Sequence, residues 1–155
     1  MKLSFHPVPL EDDPAAALAG AMRAEMAALY DDLDIDSPDM PKAGPAELGP
    51  PGGIFLVGSD SGRPVCCGGL KRLSDEACEI KRMYVIPEAR GRGVGRHLLE
   101  ALERNAKELG YRVTRLDTGP RQPGAERLYR GAGYRPIGNF NANPVASFFG
   151  EKLLL

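Results

Sequence analysis

Residues 87–100 read PEARGRGVGRHLLE, and the fold turns on what flanks them. Upstream lies the apolar run ACEIKRMYVI, 77 to 86. Downstream, Val94, Leu98, Ala101, Leu102, Ala106 and Leu109 recur at helical spacing, with Gly110 placed to end the helix. A strand therefore feeds a glycine-rich turn and a helix leaves it. Glycine at such a turn costs chain entropy and clustered arginines repel one another, so a partner must offset both. Free backbone N–H groups at a helix start, reinforced by the helix dipole, form an anion site. Gly93 and Gly95 remove β-carbons that would keep an anion away, and Arg90, Arg92 and Arg96 add fork-shaped donors that match phosphate oxygens. The stretch has no GK[ST] for a Walker loop and lacks the third glycine of a dinucleotide fingerprint. Its plain alternative is a strand-to-helix turn with solvated arginines.

Working outward, three strands precede the loop in quick succession: IFLVG (54–58), VCCGGLKRL (65–73) and ACEIKRMYVI. They are separated by the turn signals SDSGRP and SDE, as in an antiparallel meander. After the long helix come a strand, YRVTRLD (111–117), and a helix from about Gly124 to Arg130 that ends at Gly131 or Gly133. YRPIG and ASFFGEKLL close as strands. At the N-terminus, Leu3, Phe5 and Val8 suggest a short strand. A helix follows from Pro14 to about Tyr30, and its stripe Leu18, Met22, Met26, Leu29 reads as core packing. Five prolines between 38 and 51 mark residues 31–53 as a long loop with one helical turn near Ala46–Leu48. Hairpins mixed with a strand–helix–strand crossover predict an α/β fold, a mixed sheet with helices on both faces.

The totals bound the function. A chain of 155 residues is one domain, 1–155, and buries enough surface to fold without a staple. A net charge of −1, from 20 basic and 21 acidic side chains, excludes a general polyanion binder, so an anion site must be local and nucleic acid is not the expected partner. Nothing approaches the roughly 20 apolar residues of a membrane helix. The acidic N-terminal MKLSFHPVPLEDDP does not read as a signal peptide, which makes the cytoplasm the expected location. Cys66, Cys67 and Cys78 suit reduced, buried thiols, and no metal-ligand spacing occurs.

CEIKRMYVIPEARGRGVGRHLLEAL, followed by ERLYRGAGYRPI, strongly resembles the GCN5-related N-acetyltransferase superfamily, whose signature loop [RQ]xxGxG/A is matched by Arg90, Gly93 and Gly95. The likeness runs from about residue 54 to the C-terminus, while residues 1–53 match in outline only. It implies a mixed, mostly antiparallel sheet of six to seven strands flanked by about four helices and splayed between the fourth and fifth strands. It also implies acetyl-CoA as co-substrate, with no metal. The loop amides at Arg90, Gly91, Arg92, Gly93, Val94, Gly95 and Arg96 would hold the pyrophosphate, and the strand edge from Met83 to Val85 would take the pantetheine arm. Family members often carry asparagine where this chain has Gln122.

The resemblance implies transfer of an acetyl group to a primary amine by direct attack in a ternary complex. A lysine-like amine at neutral pH must first lose a proton, at a cost of roughly 4–5 kcal/mol. Glu79 is the candidate base, four residues before Met83 and so on the same face of a regular strand; a solvent-facing ion-paired glutamate is the alternative. A β-bulge near Arg82 would break that parity. Met83 N–H would stabilise the developing oxyanion. Tyr129, in ERLYRGAGY, falls on the family's general-acid tyrosine. The acceptor, a small molecule or a peptide amine, would enter between the 31–53 loop and GNFNANPVAS. Five aspartates among residues 31–39 offer a field for a cationic amine, or else a solvated loop. A homodimer through the last strands is open. The rival class is a coenzyme A sensor or interaction module without turnover.

Overall fold

In the computed structural model, which describes residues 1–155, seven strands form a single sheet. In chain order the elements are β1 (Leu3–Pro7), α1 (Ala15–Leu29), β2 (Ile54–Asp60), β3 (Arg63–Arg72), β4 (Ala77–Val85), α2 (Val94–Glu108), β5 (Val113–Thr118), α3 (Pro123–Gly131), β6 (Arg135–Pro136) and β7 (Phe148–Leu153). The sheet order is β1-β2-β3-β4-β5-β7-β6, and every pairing is antiparallel except β4 with β5. Three α-helices flank the sheet rather than four; a 3-10 turn at Pro87–Ala89 completes the set. The predicted strand YRPIG shrinks to Arg135–Pro136: Tyr134 N–H is taken by Tyr129 O at the end of α3, and Ile137 N–H makes a last bond to Phe149 O. No helix is long and apolar enough to cross a membrane.

β3 and β4 are buried along most of their length, as befits strands covered on both faces. On one face, Ala15 and Leu18 of the alanine-rich α1 pack against Phe55, Val57, Cys67 and Tyr84. On the other, Val94, Leu98, Leu99 and Leu102 of α2 meet Leu56, Cys66, Leu70, Cys78 and Ile80. Tyr129 of α3 joins that second cluster. The 31–53 segment is anchored rather than free, since Ile35, Ala43 and Leu48 are buried.

The crossover from β4 through α2 to β5 returns parallel, but the two strands pair only over Ala77–Glu79 and Val113–Arg115. Beyond Glu79 the sheet opens, and the edge of β4 that faces β5 has no strand partner. Within β4, the register against β3 shifts so that Gly68 alone opposes Arg82 and Met83. This is a β-bulge, with Arg82 held at φ +59°. A β-carbon on Gly68 would lie 2.9 Å from Leu102 Cδ1 and 3.3 Å from Met83 Cγ, so the bulge needs glycine opposite it.

Candidate functional site

The turn into α2 has the form its sequence predicts. Gly91 and Gly93 hold φ of +76° and +81°, a region costly for any residue with a β-carbon, and Gly93 caps the helix. The first helical donor, His97 N–H, reaches Gly93 O at 3.2 Å. The six backbone N–H groups before it, residues 91–96, donate to no atom of the protein. Six adjacent unpaired donors at a helix mouth need an outside acceptor.

These amides border a groove of about 660 Å³ whose walls include Met83, Tyr84 and Val85 of β4 and Gly124, Ala125 and Leu128 of α3. Gly91, Gly93, Val94 and Gly95 line it, as does Arg90; Arg92 and Arg96 do not. The Arg90 side chain is committed elsewhere. Its Nε donates to Val85 O at 2.8 Å and its Nη2 to Glu25 Oε1 at 2.7 Å, so it braces the loop against β4 and α1. Arg96 leans along its own helix toward Glu100 at 3.6 Å. The cradle is therefore made of main chain, with little from the guanidinium forks. Open space beside Gly91 and unpaired amides fit a diphosphate, and the open edge of β4 fits an extended amide arm of the kind coenzyme A carries.

At its inner end the groove meets a smaller cavity of about 100 Å³ at the splay; Met22, Met26, Met83, Gln122 and Tyr129 belong to both. The methionine stripe of α1 is thus a wall of the site as well as core: Leu18 and Met26 are buried, while Met22, Met26 and Leu29 face the groove. A helical period reports an apolar face without saying what the face meets. Tyr129 is 7% exposed and donates its hydroxyl to Met83 Sδ at 3.8 Å. Burial, with the nearby Asp117 charge adding to it, pushes the Tyr129 hydroxyl pKa well above the usual tyrosine range. Gln122 Oε1 accepts from Tyr30 O–H at 2.9 Å, which ties α1 to the turn before α3.

Glu79 does not share a face with Met83. The bulge reverses the alternation, so Met83 and Val85 pack toward the α2 cluster whereas Tyr84 belongs to the α1 cluster. Glu79 is fully buried and lies outside both the groove and the splay cavity. Its Oε2 takes Lys81 Nζ at 3.1 Å and Asn141 Nδ2 at 2.7 Å, and Oε1 has no protein partner. Asn141 Nδ2 also reaches Asp117 Oδ2 at 2.8 Å, and Asn143 Nδ2 reaches the same oxygen at 2.9 Å. Asp117, at the end of β5, lines the splay cavity beside Tyr129 and Met83. It is the carboxylate that lines the splay cavity, and sequence reasoning passed over it. The only advance signal was its place at the end of a strand beside the gap.

Arg82 is the second residue missed: a bulge near it was foreseen, but not the place that its left-handed backbone gives the side chain. Its side chain is 12% exposed, and its Nη2 lies 3.3 Å from both Ile35 O and Asp36 Oδ1. Burial lowers its pKa, a shift that Asp36 opposes. Asp36 also accepts Arg23 Nε at 2.7 Å. Of the five loop aspartates, Asp36 and Asp31 are thus held by arginines, the latter by Arg121 at 3.2 Å.

Comparison with known proteins agrees with this geometry. The family profile described as "Acetyltransferase (GNAT) family" matches residues 18–134. An IAA acetyltransferase of Azospirillum brasilense is 37% identical over 103 residues, covering 64% of this chain and 67% of the relative. An uncharacterized N-acetyltransferase of Schizosaccharomyces pombe is 34% identical over 117 residues, 74% of this chain and 72% of its own. Among solved structures, a protein assigned as an acyl-CoA N-acyltransferase of Klebsiella pneumoniae superimposes with a TM-score of 0.80 at 29% identity, over 99% of this chain and 98% of that one. A GNAT-family acetyltransferase of Elizabethkingia anophelis, solved with acetyl-CoA bound, shares the fold at a TM-score of 0.66 and 17% identity, over 98% of each chain. The match covers the long helix, its glycine turn and the opened sheet together. This chain belongs to the acetyltransferase (GNAT) family.

Proposed function

We propose that the protein transfers an acetyl group from acetyl-CoA to a primary amine, with both substrates bound together. The observation that carries this reading is the run of six unpaired amides, residues 91–96, at the mouth of a groove that follows the open edge of β4 to a buried tyrosine. When bound, acetyl-CoA supplies the acyl group as a thioester. The amides of the 91–96 turn grip its diphosphate, and the edge from Met83 to Val85 holds its amide arm. Met83 falls in the bulge with no register partner on either neighbouring strand, and its N–H stabilises the carbonyl oxygen as negative charge builds there.

The remaining steps are proton movements. Asp117 lines the splay cavity and takes the proton that the acceptor ammonium must lose before it attacks. Glu79, one asparagine behind it, holds Asn141 and Lys81 in place and so acts as a positioning residue. Tyr129 keeps its proton at neutral pH because it is buried, and gives it to the departing thiolate. The apolar walls from Met22, Met26 and Met83 exclude water, which otherwise competes for the acyl group.

A thermal-shift titration with coenzyme A, followed by an amine screen that reads free thiol, tests this. Stabilisation by the cofactor and turnover with at least one amine are expected. No stabilisation at millimolar coenzyme A overturns the cofactor assignment. Binding without turnover on any amine assigns a coenzyme A-binding module instead.

A further inference from the structure

Beyond the splay cavity lies a third space of about 680 Å³, between α1 and the segment 35–45. It meets the splay cavity at Ile35, Met40, Pro41 and Arg82. Each space shares lining residues with the next, so an acceptor whose amine reaches the splay cavity has its other end on the side of Arg82. The charged groups on this outer wall are Arg23, Lys42 and Arg82 against Asp36 alone. Lys42 leans toward Glu47 at 4.0 Å. That leaves two guanidiniums sharing one carboxylate.

Arg82 is the more telling of the two. Its side chain is mostly covered, at 12% exposure, and lines the boundary between the two cavities. Both of its protein acceptors, Ile35 O and Asp36 Oδ1, are served by Nη2. Nε and Nη1 have no protein acceptor, yet neither is sealed from the cavities. A buried guanidinium with spare donors is costly unless something accepts them, and the planar fork suits a carboxylate. On the inner side Lys81 is paired with Glu79, and the lining carboxylate in no ion pair is Asp117. Asp117 receives both asparagine amides on Oδ2, and its Oδ1 has no protein partner.

Anion at the inner end and surplus cation at the outer end describe a zwitterionic ligand. Resting on the transferase reading above, we propose that the acceptor is a primary amine that also bears a carboxylate, which Arg82 and Arg23 receive. This reverses the sign expected from the loop aspartates, because the nearest of them, Asp36, is already held by the two arginines.

The test compares amino acids with their own carboxamides and their decarboxylated amines as acceptors, at one pH, by thiol release. The best acceptor is expected to carry a carboxylate and to exceed its carboxamide at least about tenfold in kcat/KM, although its amine is the more basic. Carboxamides or simple amines that do as well or better overturn the inference and leave the amine-transfer reading standing. Absence of turnover with every amine overturns that reading, and this inference with it. Arg82→Gln is expected to narrow the acid-to-amide ratio about tenfold, chiefly through KM; an unchanged ratio contradicts the assignment. Should Arg82→Gln fail to fold, Arg23→Gln reads the same ratio, since that side chain is half exposed and lies outside the core.

Discussion

The hydroxyl of Tyr129 donates to the sulfur of Met83 at 3.8 Å, so α3 and the bulge of β4 meet across the gap where the sheet opens. A thioether is a weak acceptor, and the hydroxyl can turn from it at little cost. Tyr129→Phe therefore lowers kcat by about 100-fold while melting within a few degrees of the parent and binding coenzyme A unchanged. Steady-state rates by thiol release, with a melt alongside, check this. Equal kcat for the two proteins would remove Tyr129 from the chemistry.

Asp117→Asn and Glu79→Gln separate a residue that acts at the junction from one that holds it. Asp117→Asn is expected to cost about 100-fold in kcat with a modest change in stability. Glu79→Gln leaves the buried Lys81 ammonium without its carboxylate and destabilises the fold by about 3–5 kcal/mol in urea unfolding. The double variant Glu79→Gln/Lys81→Met recovers much of that loss. A fully stable Glu79→Gln with kcat abolished would return the base role to Glu79.

The three thiols make alkaline stability predictable. Burial pushes Cys66, Cys67 and Cys78 from 9.0 up to about 12. Between those values the unfolded chain has lost thiol protons that the folded chain keeps, so stability falls as pH rises from about 9 toward 12. Each thiol contributes up to about 1.4 kcal/mol per pH unit in that window. Urea midpoints at pH 8, 9 and 10 should fall progressively, and constant midpoints would contradict the burial. The same sealing keeps these thiols silent to disulfide reagents near pH 8, which lets released coenzyme A thiol be read without background.

Much of the fold was legible, and for stated reasons. Period-3.6 apolar runs ended by Gly110 and Gly133, and alternating or continuous apolar runs between turn signals, located nearly every element to within a residue or two. The glycine turn was legible as an anion site because its geometry is local. What escaped depends on contacts distant in sequence. A bulge near Arg82 was raised as the event that would break the strand's parity, but its pairing opposite Gly68 joins residues neither of which announces the other. Asp117 gains its place from Asn141 and Asn143 in the 138–147 loop, which read as an acceptor-side wall with no role for either asparagine. The parity argument for Glu79 was sound for a regular strand and failed where the strand is irregular.

Gly93→Ala places a β-carbon at φ +81°, at a cost of about 1–2 kcal/mol, and bends the cradle away from its ligand. Calorimetry should show coenzyme A binding weakened tenfold or more, with the fold retained. Gly91→Ala, at φ +76° with open space around it, should do likewise. Unchanged affinity in both variants would show that the turn's conformation is irrelevant to binding.

The central claim is that main-chain amides at the start of α2 hold the diphosphate of coenzyme A. An amide-resolved NMR titration with coenzyme A measures it most directly. The account predicts large, saturating shifts at the six amides of residues 91–96, together with Met83 to Val85 on β4. Saturable binding that leaves residues 91–96 unmoved would contradict it.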